Sequence, residues 1–295
     1  MSAAANSVIA RASGLTKSFG RKTVLSGIDF TIPAGRIYGL VGHNGAGKTT
    51  TLNALLGLTD CGGQIEVLGL DPYRSRAALM NDVAFISDVA SLPRFLKVRE
   101  LFDLIDAIHP RFDREKAISF LQGTDLAPGL RIKTLSKGMV AQLHLAVVLA
   151  IDARLLVLDE PTLGLDITYR KRFYRRLIED YMSEDRTLLI TTHQVDEIEF
   201  MLTDIMFMRD GKIVLDMPID AMGERFRQLV VGGEHKADAM ALTPLYSETR
   251  FGETVLIFDG VPGDRLEPLG RVSTPSLSDL FVALMQRETV YPGEA

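Results

Sequence analysis

The sequence predicts an α/β layered core interrupted by helices, with a small mixed unit after it, on three observations. Short apolar, β-rich runs alternate with helix-length segments: RIYGLVG at 36–42 precedes 48–58, RLLVLDE at 154–160 precedes 168–182, and TLLITTH at 187–193 precedes 196–202. Between 91 and 134 the strand signal vanishes. Beyond Pro218 the texture changes again, with paired glycines at Gly232 and Gly233.

Each element has its own reason. Apolar runs bounded by glycine or charge and followed by helices read as parallel strands buried on both faces, and such a sheet is covered by helices. Val98, Leu101, Phe102, Ile105 and Ile108 recur at helical spacing until Pro110, and a second helical piece covers 113–122. This is a helical insertion in the α/β core. After Pro218 comes a strand, TVLIFDG at 254–260, and then a last helix opened by Ser276 and Asp279 as a capping box. Leu277, Leu280, Phe281, Leu284 and Met285 share one face of that helix, which needs the core or a second copy to pack on. The expected division is 1–217 as the core domain, with the helical part at about 89–145, and 218–295 as the extension.

A length of 295 residues allows two units or one unit with insertions, and two is the expectation. The formal charge of -5 argues against nucleic acid as a partner, since such proteins normally carry a basic balance. The basic run RKRFYRR at 170–176 reads as a solvated helix face. A single cysteine, Cys61, excludes an internal disulfide framework and fits a reducing compartment. The opening MSAAANSV lacks the basic start and apolar core of a secretion signal and reads as a loose tail. No apolar run reaches the length of a bilayer span: LHLAVVLAI is interrupted by His144 and closed by Asp152. The 46% hydrophobic content is explained by a large core or by burial against a partner.

Three stretches carry chemistry. GHNGAGKTT, from Gly42 to Thr50, satisfies G-x-x-x-x-G-K-[ST] between a strand and a helix. Gly42, Gly45 and Gly47 let the loop wrap phosphates with backbone N–H groups, Lys48 neutralises their charge, and Thr49 offers a hydroxyl to Mg²⁺. RLLVLDEPTLGLD ends a buried strand in Asp159 and Glu160. The first can hold a metal shell and the second can orient water for attack on phosphorus. In TLSKGMVAQLHLAVVL, Ser136 stands two places ahead of Gly138 at a helix mouth. That is a structural cap or a phosphate clamp, because unpaired N–H groups point out of such an end.

In this order the motifs strongly resemble the ATP-binding subunit of an ABC transporter, over about residues 7–218. GHNGAGKTT resembles its phosphate loop, LSKGM its signature, LLVLDE its metal-binding strand and catalytic glutamate, PTLGLD its interface loop, and TTHQVDEIE its switch-histidine segment. The resemblance implies a P-loop NTPase (RecA-like) fold with a mixed sheet, a helical signature subdomain, and a small C-terminal α+β extension. It implies catalytic roles for Glu160, His193 and Lys48. ATP would be bound by Phe19, Gly42, Asn44, Gly45, Ala46, Gly47, Lys48, Thr49 and Thr50, and by Ser136, Gly138 and Asp166. Mg²⁺ would be held by Thr49, Asp159 and Asp88, the last standing where the family has a lid glutamine. Ser87 takes that place if the register slips by one.

The resemblance further implies a head-to-tail dimer of cassettes, by default identical. A separate transmembrane permease would seat a helix near Leu92 and Phe95, placing the chain as a peripheral protein on the cytoplasmic face of the membrane. The single cassette, the KGM signature and the terminal SLSDLFVALM are similar to the subgroup that drives export through ABC-2-type permeases. Lys137 and Met139 depart from the common LSGGQ; a working variant clamp is the expectation, and one weakened in affinity or rate is the alternative. The alternatives are a soluble ABC ATPase without a permease and a regulatory module that binds ATP but scarcely hydrolyses it. Neither a second cassette nor a long coiled coil accompanies the motifs, which counts against the soluble kinds.

Overall fold

A computed structural model describes residues 7–87, 92–162, 167–183, 185–250 and 252–286. Its centre is a six-stranded sheet of β3 (Ile37–Val41), β5 (Val83–Ile86), β6 (Leu155–Asp159), β7 (Thr187–Thr192), β8 (Asp204–Arg209) and β9 (Lys212–Pro218), in the order β5-β6-β7-β3-β8-β9. Every pair is parallel except β8 with β9, so the sheet is mixed. All residues of β3, β6 and β7 are buried, as expected of strands covered on both faces. Because β6, β7 and β3 run side by side and parallel, the loops leaving their C-terminal ends gather at one edge, where α/β sheets place ligands.

An antiparallel hairpin of β1 (Val8–Phe19) and β2 (Lys22–Pro33), joined on the far side of β1 by β4 (Gly62–Val67), covers one flank. Its inward residues, among them Ile9, Leu15, Leu25, Ile28 and Ile32, form a second core with Leu40, Leu52 and Val157. Helix α1 (Lys48–Leu55) lies over the sheet and is followed by the short α2 (Arg76–Leu79). The sequence predicts α1 to 58. It stops earlier because Gly57 takes φ 63° and donates from its N–H to Ala54 O at 3.1 Å, and a Cβ there would sit 2.0 Å from Pro72 O.

The insertion holds α3 (Val98–Ile108), α4 (Arg114–Phe120) and α5 (Lys137–Leu149). Glu100 Oε2 accepts from Lys97 N–H at 2.9 Å, and Asp113 caps α4 by accepting from Lys116 N–H at 2.9 Å. Val98, Leu101, Phe102, Ala117, Phe120 and Leu143 pack into a core continuous with the sheet. Helix α6 (Ile167–Arg176) opens into a π turn, Leu177–Tyr181, rather than continuing as one α-helix to 182. Tyr181, fully buried there, donates its hydroxyl to Ala153 O at 2.8 Å. The helix predicted over 196–202 is corrected to two 3₁₀ turns, Val195–Glu197 and Glu199–Met201. Its acidic side chains reach outward to other elements: Glu197 to Arg170, and Asp196 and Glu199 to the C-terminal segment.

After α7 (Met222–Arg225) comes a four-stranded antiparallel sheet of β10 (Phe226–Val231), β11 (Tyr246–Arg250), β12 (Glu253–Asp259) and β13 (Arg271–Ser273), in the order β11-β12-β10-β13. Strand alternation splits its two faces. Leu229, Val231, Leu256 and Phe258 meet Ala239 of α8 (Lys236–Met240) and Leu266 of α9 (Gly263–Leu266) in a small core of their own. Phe226 and Ile257 face the main core. Helix α10 (Leu277–Met285), capped by Ser276 Oγ accepting from Asp279 N–H at 3.0 Å, also lays Leu277, Leu280, Phe281 and Leu284 against that core. Among the described residues no helix is long and apolar enough to cross a membrane.

Candidate functional site

The loop between β3 and α1 is built by glycines where nothing else fits. A Cβ on Gly42 would sit 2.4 Å from Met208 O, and Gly45 and Gly47 take φ 86° and 113°. Ala46, buried, anchors the loop: its N–H donates to His43 O at 3.1 Å and its carbonyl accepts from Gly211 N–H at 3.0 Å. Lys48 opens α1 and is 7% exposed, with Nζ donating to Gly42 O at 2.6 Å and reaching His43 O at 3.4 Å. Burial lowers its pKa, and the charges of Glu160 and Asp159 oppose that shift. The loop therefore curls around its own lysine, with an ammonium poised for anionic oxygens.

The ends of β6 and β7 bring the acidic groups to this loop. Thr49 Oγ1 donates to Asp159 Oδ2 at 3.1 Å, while Thr191 Oγ1 donates to Asp159 Oδ1. Asp159 is 3% exposed. Glu160 follows with φ 48°, a left-handed conformation rare for its residue type, and its N–H donates to Thr191 O at 3.2 Å. His193 Nδ1 lies 2.9 Å from Glu160 Oε1. Such backbone strain beside charged groups is common at functional sites. The cleft so formed is lined by Asn44, Lys48, Thr49, Thr50, Asp159, Glu160 and His193 from the motifs, with Lys22, Val24 and His43 in addition.

The remaining motif residues lie elsewhere. Phe19 stands at the tip of the β1–β2 hairpin, 56% exposed, with Lys17 Nζ 5.2 Å from its ring centre. Its cross-strand partner is Lys22, which lines the cleft. Ser136 and Gly138 are not among the residues lining the cleft. Ser136 Oγ caps α5, accepting from Met139 N–H at 3.2 Å, and a Cβ on Gly138 would meet nothing closer than that Oγ at 4.0 Å. Lys137 is exposed, and Met139 packs into the core. Asp88 and Asp166 lie outside the described residues, while Ser87 is half-buried just after β5. Leu92 packs on the core, and Phe95 is 71% exposed.

Sequence reasoning missed Thr191, which braces the Asp159 carboxylate and the Glu160 backbone N–H; its only signal is a hydroxyl inside the buried run TLLITT. His43, at an unspecified position of the motif, had none. The chemistry open to the arrangement is binding of a polyphosphate by loop N–H groups and Lys48, with a carboxylate and an imidazole ready to handle water beside it.

Comparison with known proteins agrees with that chemistry. The sequence model of the ABC transporter family matches residues 25–163. The chain is 33% identical to the Nod factor export ATP-binding protein I of Rhizobium meliloti (strain 1021), over 93% of this chain and 87% of the relative. It is 30% identical to the lantibiotic transport ATP-binding protein SrtF of Streptococcus pyogenes, over 70% of this chain and 89% of the relative. Among solved structures it resembles an ATP-binding subunit of an ABC transporter, with TM-score 0.67 and 21% identity over 72% of this chain and 91% of the other. It also resembles cbiO1 from Clostridium perfringens, described as part of the complex cbiONQ, with TM-score 0.61 and 22% identity over 72% of this chain and 88% of the other. At these identities the two structures speak for the fold.

Proposed function

This chain belongs to the ABC transporter family as an ATP-binding, ATP-hydrolysing subunit, and from that premise we propose that it is the motor of an exporter working through a separate membrane permease. The observation that carries the catalytic part is the convergence of Lys48, Thr49, Asp159, Glu160 and His193 on one cleft. Lys48 exchanges the Gly42 carbonyl for β- and γ-phosphate oxygens, and the loop N–H groups from Asn44 to Thr50 take the rest of the polyphosphate. Phe19 offers its exposed ring to the base. Glu160 accepts the proton of the attacking water, while His193 holds that carboxylate and donates toward the transferred phosphoryl group.

The residues fit a magnesium ion. The Thr49 hydroxyl and the Asp159 carboxylate, 3.1 Å apart, are the hard oxygen donors that ion prefers, and the metal would supply charge neutralisation at the phosphates. Asp88 completes the set in this reading.

Ser136 and Gly138 cap nucleotide held by a second copy, with Asp166 crossing the interface, so a homodimer forms two composite sites. Residues 1–217 are the ATPase domain, with the helical part at about 89–145, and 218–295 are the appended unit. Exposed Phe95 supports a seat there for the permease helix, and in this reading the chain works at the cytoplasmic face of the membrane. Export is favoured by two relatives named for export and for lantibiotic transport, whose different cargoes leave this chain's cargo unassigned.

The test is purification of the tagged Glu160→Gln chain from its host's membranes in mild detergent with ATP. A stoichiometric multi-span protein and hydrolysis reduced about 10²–10⁴-fold are expected. A chain that leaves the membrane fraction alone, or that turns over at the wild-type rate, would overturn the permease or the glutamate assignment respectively.

A further inference from the structure

The extension sends its last helix back to the nucleotide site. The Phe281 ring lies 5.2 Å from the ring of His43, in the phosphate loop, and 5.3 Å from Phe207 beneath it. One turn earlier, Ser278 Oγ donates to Asp196 Oδ1 and Leu277 N–H donates to Glu199 Oε1 at 3.3 Å. Both acidic residues belong to the 3₁₀ turns that follow His193. At the other end of α10, Arg209 Nη1 donates to Leu284 O at 2.7 Å, satisfying a carbonyl that the helix leaves open. Arg209 follows Met208, whose carbonyl faces Gly42 across the space where a Cβ would stand.

Thus one helix of nine residues touches the loop that holds phosphate and the segment that carries the switch histidine. Leu277, Leu280 and Leu284 bury the helix beside Phe281, so burial alone asks for neither a ring partner in the phosphate loop nor a hydroxyl bond to Asp196. We propose that α10 is a positioning strut of the ATP site, setting the phosphate loop through Phe281 on His43 and the His193 segment through Ser278 on Asp196. The inference rests on the ATPase reading above. Neither Phe281 nor Ser278 touches substrate; each acts through a residue that is in, or next to, the site.

The two contacts predict separable effects. Loss of an aromatic pair is worth about two- to tenfold in an equilibrium, and here that equilibrium is the ordering of the loop around phosphate. Phe281→Leu keeps apolar volume and should weaken ATP binding by about three- to tenfold, with kcat within about twofold. Ser278→Ala frees the turn after His193 and should lower kcat by a similar factor while leaving ATP affinity in place, and Ser278→Thr, which keeps the hydroxyl, should restore it. Val231→Ala, in the separate core of the extension, is the control for mere loss of stability. It should lower Tm and leave both constants unchanged.

The experiment is nucleotide titration and steady-state hydrolysis on the full chain for these four variants, wild type and Glu160→Gln. The affinity loss in Phe281→Leu with the kcat loss in Ser278→Ala, absent from Val231→Ala, supports the strut. If Glu160→Gln is inactive and wild type turns over, but Phe281→Leu and Ser278→Ala behave like wild type or like Val231→Ala, the strut is wrong and the ATPase reading stands. If wild type neither binds nor hydrolyses ATP, the ATPase reading fails and takes the strut with it.

Discussion

At Lys48 the chain keeps an ammonium group where water barely reaches, and among the described residues its hydrogen-bond acceptors are the carbonyls of Gly42 and His43. Burial lowers its pKa, the charges of Glu160 and Asp159 opposing that shift, so the buried ammonium carries a desolvation cost in the folded chain. Lys48→Ala should therefore cost the folded chain little while weakening ATP binding at least about a hundredfold, since hydrogen bonds to charged groups are worth about 1.5–3 kcal/mol each. Thermal melting checks this: the ATP-dependent rise in Tm seen for wild type should vanish in a variant whose own Tm is unchanged. Persistence of that rise would separate Lys48 from phosphate. Residues like Lys48, Thr49, Asp159, Glu160 and His193 are legible in sequence because fixed spacing on a strand end or a glycine loop fixes their direction. Thr191 is not, because its task depends on β6 and β7 being neighbours in a particular register, Asp159 opposite Thr191. His43 is not either, because its partner Phe281 arrives from the far end of the chain.

Helix α5 shows what an element adds. It carries the signature at its mouth and a nearly all-buried second half, Leu143 and Leu145 to Leu149, with His144 among them. Burial pulls the His144 pKa down to about 4, and its Nδ1 has no hydrogen-bond partner among the described residues. The unfolded chain takes up a proton near 6.5 and the folded chain only near 4, so folding loses stability as pH falls through that window. Between pH 7.5 and 5 this site alone should cost about 2 kcal/mol, and His144→Leu should remove that slope from urea-unfolding midpoints. An unchanged slope would mean the imidazole is not held neutral.

At the mouth of the same helix, Lys137 is exposed and its backbone is helical, so no glycine conformation is required there. Lys137→Gly should change ATPase rate by no more than about fivefold, the backbone cost of glycine at a helix being about 1 kcal/mol. A rise of a hundredfold would mark the natural signature as impaired. Strands β3, β6 and β7 were plain in the sequence because an unbroken apolar run has one burial solution. The 196–202 segment misled because helical periodicity does not record that Asp196, Glu197 and Glu199 each answer to another element.

For the molecule as a whole, the decisive fact is that Ser136 and Gly138 stand outside the cleft that Lys48 lines. An intact site in the proposed dimer takes its phosphate loop from one copy and its signature from the other, and this makes a prediction that no monomeric site shares. Lys48→Ala breaks both loops of a homodimer. Gly138→Asp fills the open space above α5 with a like charge and breaks both clamps. Each variant alone should be inactive. When the two are mixed, a heterodimer pairs the damaged loop with the damaged signature at one site, and leaves an intact loop facing an intact signature at the other. With random pairing and independent sites, activity should return to roughly a quarter of wild type, measured after incubation with ATP to allow exchange of copies. No recovery in a mixture shown by sizing to contain dimers would mean that the signature serves its own chain, or that both sites must fire together. The second case is distinguished by nucleotide trapping, because a heterodimer with one intact site still retains one ATP per dimer. The relative that matches 93% of the chain must include much of the extension that carries α10, so the same mixing experiment repeated with Phe281→Leu in both partners asks whether the composite site and its strut act together.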